Sequence, residues 1–203
     1  MREDLVNAIY AALNNLAGKE INGGYHHLAN EVPDTFVQQG LYFFFDPAIQ
    51  RVHGGEKIIR IGKTGDNGNN RLGLHKNGNV SNSVFRKHVA RALGVLNGNE
   101  ATRAEINAYV HPLPYLFLPV HVAEHLQTLE KRCIEIISNS NQAIPIDVPT
   151  TDWLGYQEGP QINAAIAYSH LWNVHHVKNF EPENVVVYDN ALNSLQGYID
   201  ILP

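Results

Sequence analysis

Cysteine is all but missing: Cys133 is the single one in 203 residues. A lone thiol excludes an intramolecular disulfide framework and a multi-cysteine zinc site. It also fits a reducing compartment. Long apolar runs are missing too, and nothing approaches the roughly 20 residues of a membrane-spanning helix. The first residues, MREDLVNAIYAAL, are acidic and amphipathic rather than basic and then apolar, so no secretory leader is expected. These absences predict a cytoplasmic protein with no membrane partner. There is no internal repeat, no low-complexity tract and no nucleotide-binding loop, so dependence on a nucleoside triphosphate is not expected. What is present is ample apolar content, 44% of the chain, enough for a packed core.

Positive charge is in deficit overall, with a net charge of −5. Evenly spread, that would argue against a nucleic-acid partner. The spread is uneven. Between Arg51 and Arg91 stand nine basic residues and two acids, a balance of +7, which leaves −12 on the rest. A basic island on an acidic body suits a protein with one face toward phosphates. A solvated lysine- and arginine-rich surface would look the same from charge alone.

Periodicity supplies a coarse architecture. Leu5, Ile9, Leu13 and Leu16 make a helical stripe over residues 4–17, ended by Gly18. GLYFFFD (40–46) is apolar on both faces and reads as a central strand, and KIIRIG (57–62) as a second strand joined to it by a long hairpin loop. Residues 70–76 suggest a short helix. Ser83 is placed to cap a helix that runs to Leu93. YLFLPV (115–120) is a third strand, and residues 123–138 form the clearest helix, with Leu126, Leu129, Cys133 and Ile137 on one stripe. Helices are expected at about 161–169 and 191–202, flanking a strand at NVVVYD. The fold class is α/β: a small mixed sheet flanked by helices. The expected organisation is an N-terminal helix and lead-in (1–35), a core (36–140) with an inserted helix (83–94), and a C-terminal helical extension (141–203).

Several polar residues stand where packing alone would not put them. Tyr42 lies inside GLYFFFD, and Arg60 lies between Ile59 and Ile61. If the two strands pair as a hairpin, period-two alternation lets these two share a face. Lys63 follows at the strand end. Arg71 and His75 are four apart and share a helical face. Glu130 adjoins the apolar stripe of the strongest helix, and a carboxylate there is usually paired or bound to metal. Taken one at a time, each has an ordinary structural reading. Together, cations that hold a phosphate, a carboxylate that holds a divalent metal and a hydroxyl that handles a proton suit phosphoryl chemistry.

These residues carry a resemblance. Gly40-Leu41-Tyr42 resembles the first half of the GIY-YIG nuclease signature, and Arg60-Ile61-Gly62-Lys63-Thr64 stands where the second half belongs. Arg71 and His75 match the arginine and histidine of the next family helix, and Glu130 in LEKRCIEIISN matches the late metal-binding glutamate. The insert SVFRKHVARAL, DWLG (152–155) and LWNVHHV (171–177) resemble a bacterial subgroup with the same G-[VL]-Y-F-F-F opening. The pattern departs at Arg60, which replaces the second tyrosine. The resemblance implies a metal-dependent endonuclease acting on DNA, double-stranded by expectation, with a homodimer allowed. It implies Tyr42 as proton acceptor, helped toward the phenolate by Arg60 and Lys63, and Arg71 as phosphate clamp. It implies His75 as an orienting group, and Mg²⁺ on Glu130, with Mn²⁺ as substitute. The family's late asparagine is assigned to Asn139 in preference to Asn141. On the inserted helix, Arg86, Lys87, His88 and Arg91 are candidates for contacts to the DNA backbone, although His88 borders the apolar stripe and also reads as a core histidine.

Two rival readings remain. His121, Glu124 and His125 match the inverted zinc-peptidase motif H-x-x-E-H, a weak signal in a chain with 11 histidines. The loss of the second tyrosine also leaves room for a nuclease-like domain that binds DNA without cutting it.

Overall fold

The protein is described by a computed structural model, which covers all residues except Met1, 31–38, 52–54, 66–70, 97–99 and 157–162. Part of the expected hairpin loop and the start of the helix expected at 161 lie outside the described residues.

Four strands form one sheet, β1 (His26–His27), β2 (Gly40–Gln50), β3 (Glu56–Thr64) and β4 (Pro114–Pro119), in the order β1-β4-β2-β3. All three pairings are antiparallel rather than mixed. The α/β core expected from the sequence is thus present. β2 is central because both its faces are apolar. Leu41, Phe43 and Phe45 enter one core layer, and Tyr42 and Phe44 enter the other. The first layer packs the sheet against α1 (Arg2–Ala17), α5 (Ala123–Ile137) and α7 (Val185–Asp200). The second packs it against α2 (Arg71–Asn77), α3 (Val84–Ala92) and α4 (Glu100–Val110), with Trp153, Ile166 of α6 (Ala164–Ser169) and Trp172.

Two glycines fix how the strands meet. Tyr42 stands opposite Gly62, and its ring lies across that glycine: a Cβ there would come within 2.2 Å of the Tyr42 hydroxyl. The ring of Phe117 lies across Gly40 in the same way, 2.4 Å from where a Cβ would sit. Farther along, Phe44 pairs with Arg60 but Phe45 pairs with Ile58, so Ile59 is an extra residue in β3. A bulge of this kind re-aims neighbouring side chains. Here Ile59 joins the core layer of Tyr42, and Arg60 lies over the Phe85 ring in that same layer.

β3 is an edge strand, but its edge is covered. The Trp172 backbone N–H donates to Ile59 O at 2.7 Å. The Asn173 side chain takes both backbone groups of Ile61, accepting from Ile61 N at 3.1 Å and donating to Ile61 O at 2.7 Å. Unpaired strand edges attract other chains, so such a clasp is protective.

One expected element is absent and one unexpected element is present. NVVVYD is not a strand: it opens α7, in which Tyr188, Ala191, Leu195 and Ile199 form the buried stripe while Val186 and Val187 face outward. Packing of a helical stripe overrides the strand preference of three valines. Residues 100–110 form a helix that periodicity does not announce, and among its described side chains Thr102, Ile106 and Val110 are the buried ones.

Candidate active site

Tyr42 is 1% exposed. Its hydroxyl lies 2.8 Å from His75 Nε2, and His75 Nδ1 lies 2.8 Å from Ser83 Oγ. The three residues come from β2, α2 and the N-cap of α3, so the inserted helix is tied directly to the signature tyrosine. Burial pushes the Tyr42 phenol up from its ordinary value, Arg60 and Arg71 pull it down by charge, and Glu130 pushes it up. His75 is driven well below its usual range, first by burial and then by Arg60, Arg71 and Arg86, and is therefore neutral at physiological pH.

Arg60 is held from two sides. Its Nη1 donates to Trp172 O at 2.9 Å, and its guanidinium lies 4.9 Å from the centroid of the Phe85 ring. Lys63, at the end of β3, pairs with Glu130 of α5 at 3.2 Å. Glu130 is therefore paired, one of the two states expected of a carboxylate beside the stripe. Arg71 is exposed at the start of α2. The structure thus gathers Tyr42, Arg60, His75, Arg71 and the Lys63–Glu130 pair around one region.

Asn139 is elsewhere. Its side chain bonds to both backbone groups of Ile146, at 2.8 Å each, to His170 Nδ1 at 2.7 Å and to Arg2 at 3.2 Å. It pins the loop after α5 and does not join the Tyr42 group. Arg86 also differs from expectation. It is 1% exposed, and its Nη1 donates to His75 O at 2.9 Å and Lys76 O at 3.0 Å, closing the last carbonyls of α2. It supports His75 from below instead of reaching outward. Its position was legible: Arg86, Val89 and Ala90 lie on one helical face, and all three are buried. His88 is buried as well, its imidazole pushed down to about 4 by burial and then by Arg91, Arg60 and Lys87. Lys87 and Arg91 are half-buried. Within the basic segment, Arg51 and Lys57 are also interior, Arg51 paired with Asp147 at 2.7 Å.

Glu130 offers one hard oxygen donor, and no group of three metal-ligating side chains occurs among the described residues. A single carboxylate fits a hard dication that keeps most of its water. It does not fit structural zinc, which takes four protein ligands. His121 precedes α5 and is exposed, and His125 bonds to Tyr198, so the H-x-x-E-H residues do not converge.

The family described as GIY-YIG domain matches residues 1–104 and 95–199, nearly the whole chain. The chain belongs to the GIY-YIG family. No curated protein matches it, and no solved structure does. In this GIY-YIG chain the two signature glycines are the residues over which Phe117 and Tyr42 lie, and a nuclease-type activity follows from the family. Ser83 and Gly62 are the residues whose parts in the site sequence reasoning missed. In the sequence Gly62 is only a motif letter and Ser83 only a helix cap, and nothing in their spacing links either to a phenol 20 or more residues earlier.

Proposed function

We propose that this protein is an endonuclease that hydrolyses phosphodiester bonds of double-stranded DNA, with Tyr42 as the general base. The observation that carries the reading is the buried Tyr42 hydroxyl, 2.8 Å from a neutral His75 and under the charges of Arg60 and Arg71. A water oxygen attacks phosphorus, its proton passes to the Tyr42 phenolate, and the bond to the leaving oxygen breaks. A free phenol ionises near pH 10, so the adjacent guanidinium groups matter: each unit of lowering is about 1.4 kcal/mol of preference for the phenolate. Arg71, exposed, receives the non-bridging oxygens, and Lys63 adds a second cation there. Mg²⁺, or Mn²⁺ in its place, would be held by Glu130 and supply Lewis-acid stabilisation to the leaving oxygen.

Cleavage of supercoiled plasmid over a Mg²⁺ and Mn²⁺ titration tests this. Tyr42→Phe keeps the ring over Gly62 and removes the proton acceptor, so it folds normally and loses about 10²–10⁴ in rate. Glu130→Gln removes the charge a hard cation requires, and cleavage stops. Its stability changes little, because a half-exposed pair with Lys63 contributes about 0–1 kcal/mol. Wild-type cleavage by Tyr42→Phe would remove Tyr42 as the base. A second reading, DNA binding without cleavage, draws on the 1% exposure of Tyr42, to which an attacking water has little access. An intact plasmid at every metal concentration, with binding retained, selects it.

A further inference from the structure

Arg86 closes α2 with one nitrogen, Nη1, which donates to the carbonyls of His75 and Lys76. Its Nε is buried and makes no hydrogen bond among the described residues. No carboxylate of a described residue pairs with this guanidinium either. Burial lowers its ionisation, and the charge that adds to burial is another cation, Arg103. A buried cation that lacks both a counter-charge and an acceptor for one of its N–H groups is costly, and such groups are usually paired.

Arg86 forms part of the wall of a narrow cleft between the turn after α2 and the first turn of α4. Asn79 and Val80 line one side, and Thr102, Arg103 and Ile106 the other. No acidic side chain lines it, and Glu105, the exposed acid two residues beyond Arg103, is not part of the wall. Asn79 supplies no acceptor for Arg86, because its Oδ1 already receives the backbone N–H groups of Ser81 and Asn82 at 3.1 and 3.0 Å. Arg103 is exposed and makes no ion pair among the described residues. α4 has 11 residues, and the positive end of its dipole lies at this first turn. The floor of the cleft has room for about one water-sized atom.

We propose that this cleft is an oxyanion site, in which one oxygen of a phosphate group reaches the floor, accepts the Arg86 Nε–H and lies against the Arg103 guanidinium. The donor set selects the ligand class. Both side-chain charges are positive and the unpartnered group is an N–H, so a cation or an apolar ligand would leave each of them as it stands. A water molecule would satisfy the N–H but not the charge. A phosphate oxygen satisfies both, and guanidinium groups suit it by geometry. The phosphate has two possible sources, the backbone of DNA or free inorganic phosphate. A DNA source rests on the nuclease reading; the oxyanion site does not. Arg86 also joins the cleft to the Tyr42 region, since the same guanidinium holds the His75 carbonyl.

Nitrogen-15 NMR of the arginine side chains in the labelled full chain, without metal, reads the site. The Arg86 Nε–H signal is assigned by its loss in Arg86→Lys, or by its proximity to Ile106 if that variant does not fold. Inorganic phosphate, titrated against chloride at constant ionic strength, shifts this signal and slows its exchange with water, half-saturating on the order of 1 mM. Arg103→Gln, at an exposed position and so expected to fold, weakens phosphate binding about tenfold or more. A short DNA duplex separates the sources. If DNA supplies the phosphate, the duplex moves the same signal, inorganic phosphate competes with it, and Arg103→Gln lowers the salt slope of DNA binding by about 0.9. If the duplex leaves the signal in place while inorganic phosphate moves it, the site takes free phosphate. A signal that neither moves overturns the proposal and leaves the cleft to water, as does an Arg103→Gln variant with wild-type phosphate affinity. A wild-type chain that cuts no plasmid at any metal concentration overturns the nuclease reading, while the phosphate titration still decides the site.

Discussion

His88 shows what interior placement does to a single side chain. It is 5% exposed, its Nδ1 is buried without a hydrogen bond, and burial beside Arg91, Arg60 and Lys87 pushes its ionisation down to about 4. His170 is also held at about 4, by burial and by Lys57, and His75 shifts in the same direction. An unfolded histidine takes its proton near pH 6.5. Below about pH 6.5 the unfolded chain therefore binds protons that the folded chain refuses. Stability from these groups is complete above that pH and declines as the pH falls toward 4, by at most about 1.4 kcal/mol per pH unit for each group. We expect urea unfolding to show this decline, and His88→Leu to flatten it while leaving the protein at least as stable at pH 7, since an orphan polar atom is gone. A variant with the wild-type slope would mean that the fold does not hold His88 neutral. His88 was legible as a core histidine from the stripe it borders, and Tyr42 with Arg60 from the period of two paired strands. Asn139 was not, because a distance along the chain after Glu130 says nothing about which side of the helix end the next loop turns to.

At the scale of elements, β4, α5 and the first half of β2 were readable because each satisfies one rule: apolar on both faces for the strands, one stripe for the helix; β2 continues to Gln50 through Pro47 and Ala48, which are exposed and read as loop. α7 was misread at its start because three consecutive valines favour a strand locally, while the residues that decide, Tyr188 to Ile199, lie one to four turns later. The clasp on β3 had no sequence signal at all, since Asn173 is far from Ile61 along the chain and any asparagine in a loop looks alike. Its contribution is measurable. Asn173→Leu leaves Ile61 N and O without their partners, at a cost of about 2–4 kcal/mol for two buried backbone groups. The neighbouring Trp172 carbonyl, which fixes Arg60, should loosen with it, so cleavage is expected to fall along with the melting temperature. An unchanged melt would show that water replaces the side chain without penalty.

For the whole molecule, the basic segment is less available to DNA than its sequence suggests, because Arg51, Lys57 and Arg86 are interior. The cations left at or near the surface in that segment include Lys63, Arg71, Lys76, Lys87 and Arg91. Replacing Lys87 and Arg91 with glutamine should weaken binding to unrelated DNA sequences about equally and reduce the salt slope by about 0.9 for each phosphate no longer neutralised. The same change at Arg86 should instead lower stability, because the last carbonyls of α2 lose their donor. Titrating binding against salt separates the two, and a slope untouched by Lys87 and Arg91 moves the DNA face off α3.

The covered edge of β3 also bears on how this protein fails when it unfolds. β3 is nine residues long and carries three isoleucines. Once Trp172 and Asn173 let go, such an edge is a template for a strand from another molecule. Heating should then give precipitation rather than a reversible transition, with an onset set by release of the clasp. Asn173→Leu would aggregate at temperatures where the parent chain stays in solution.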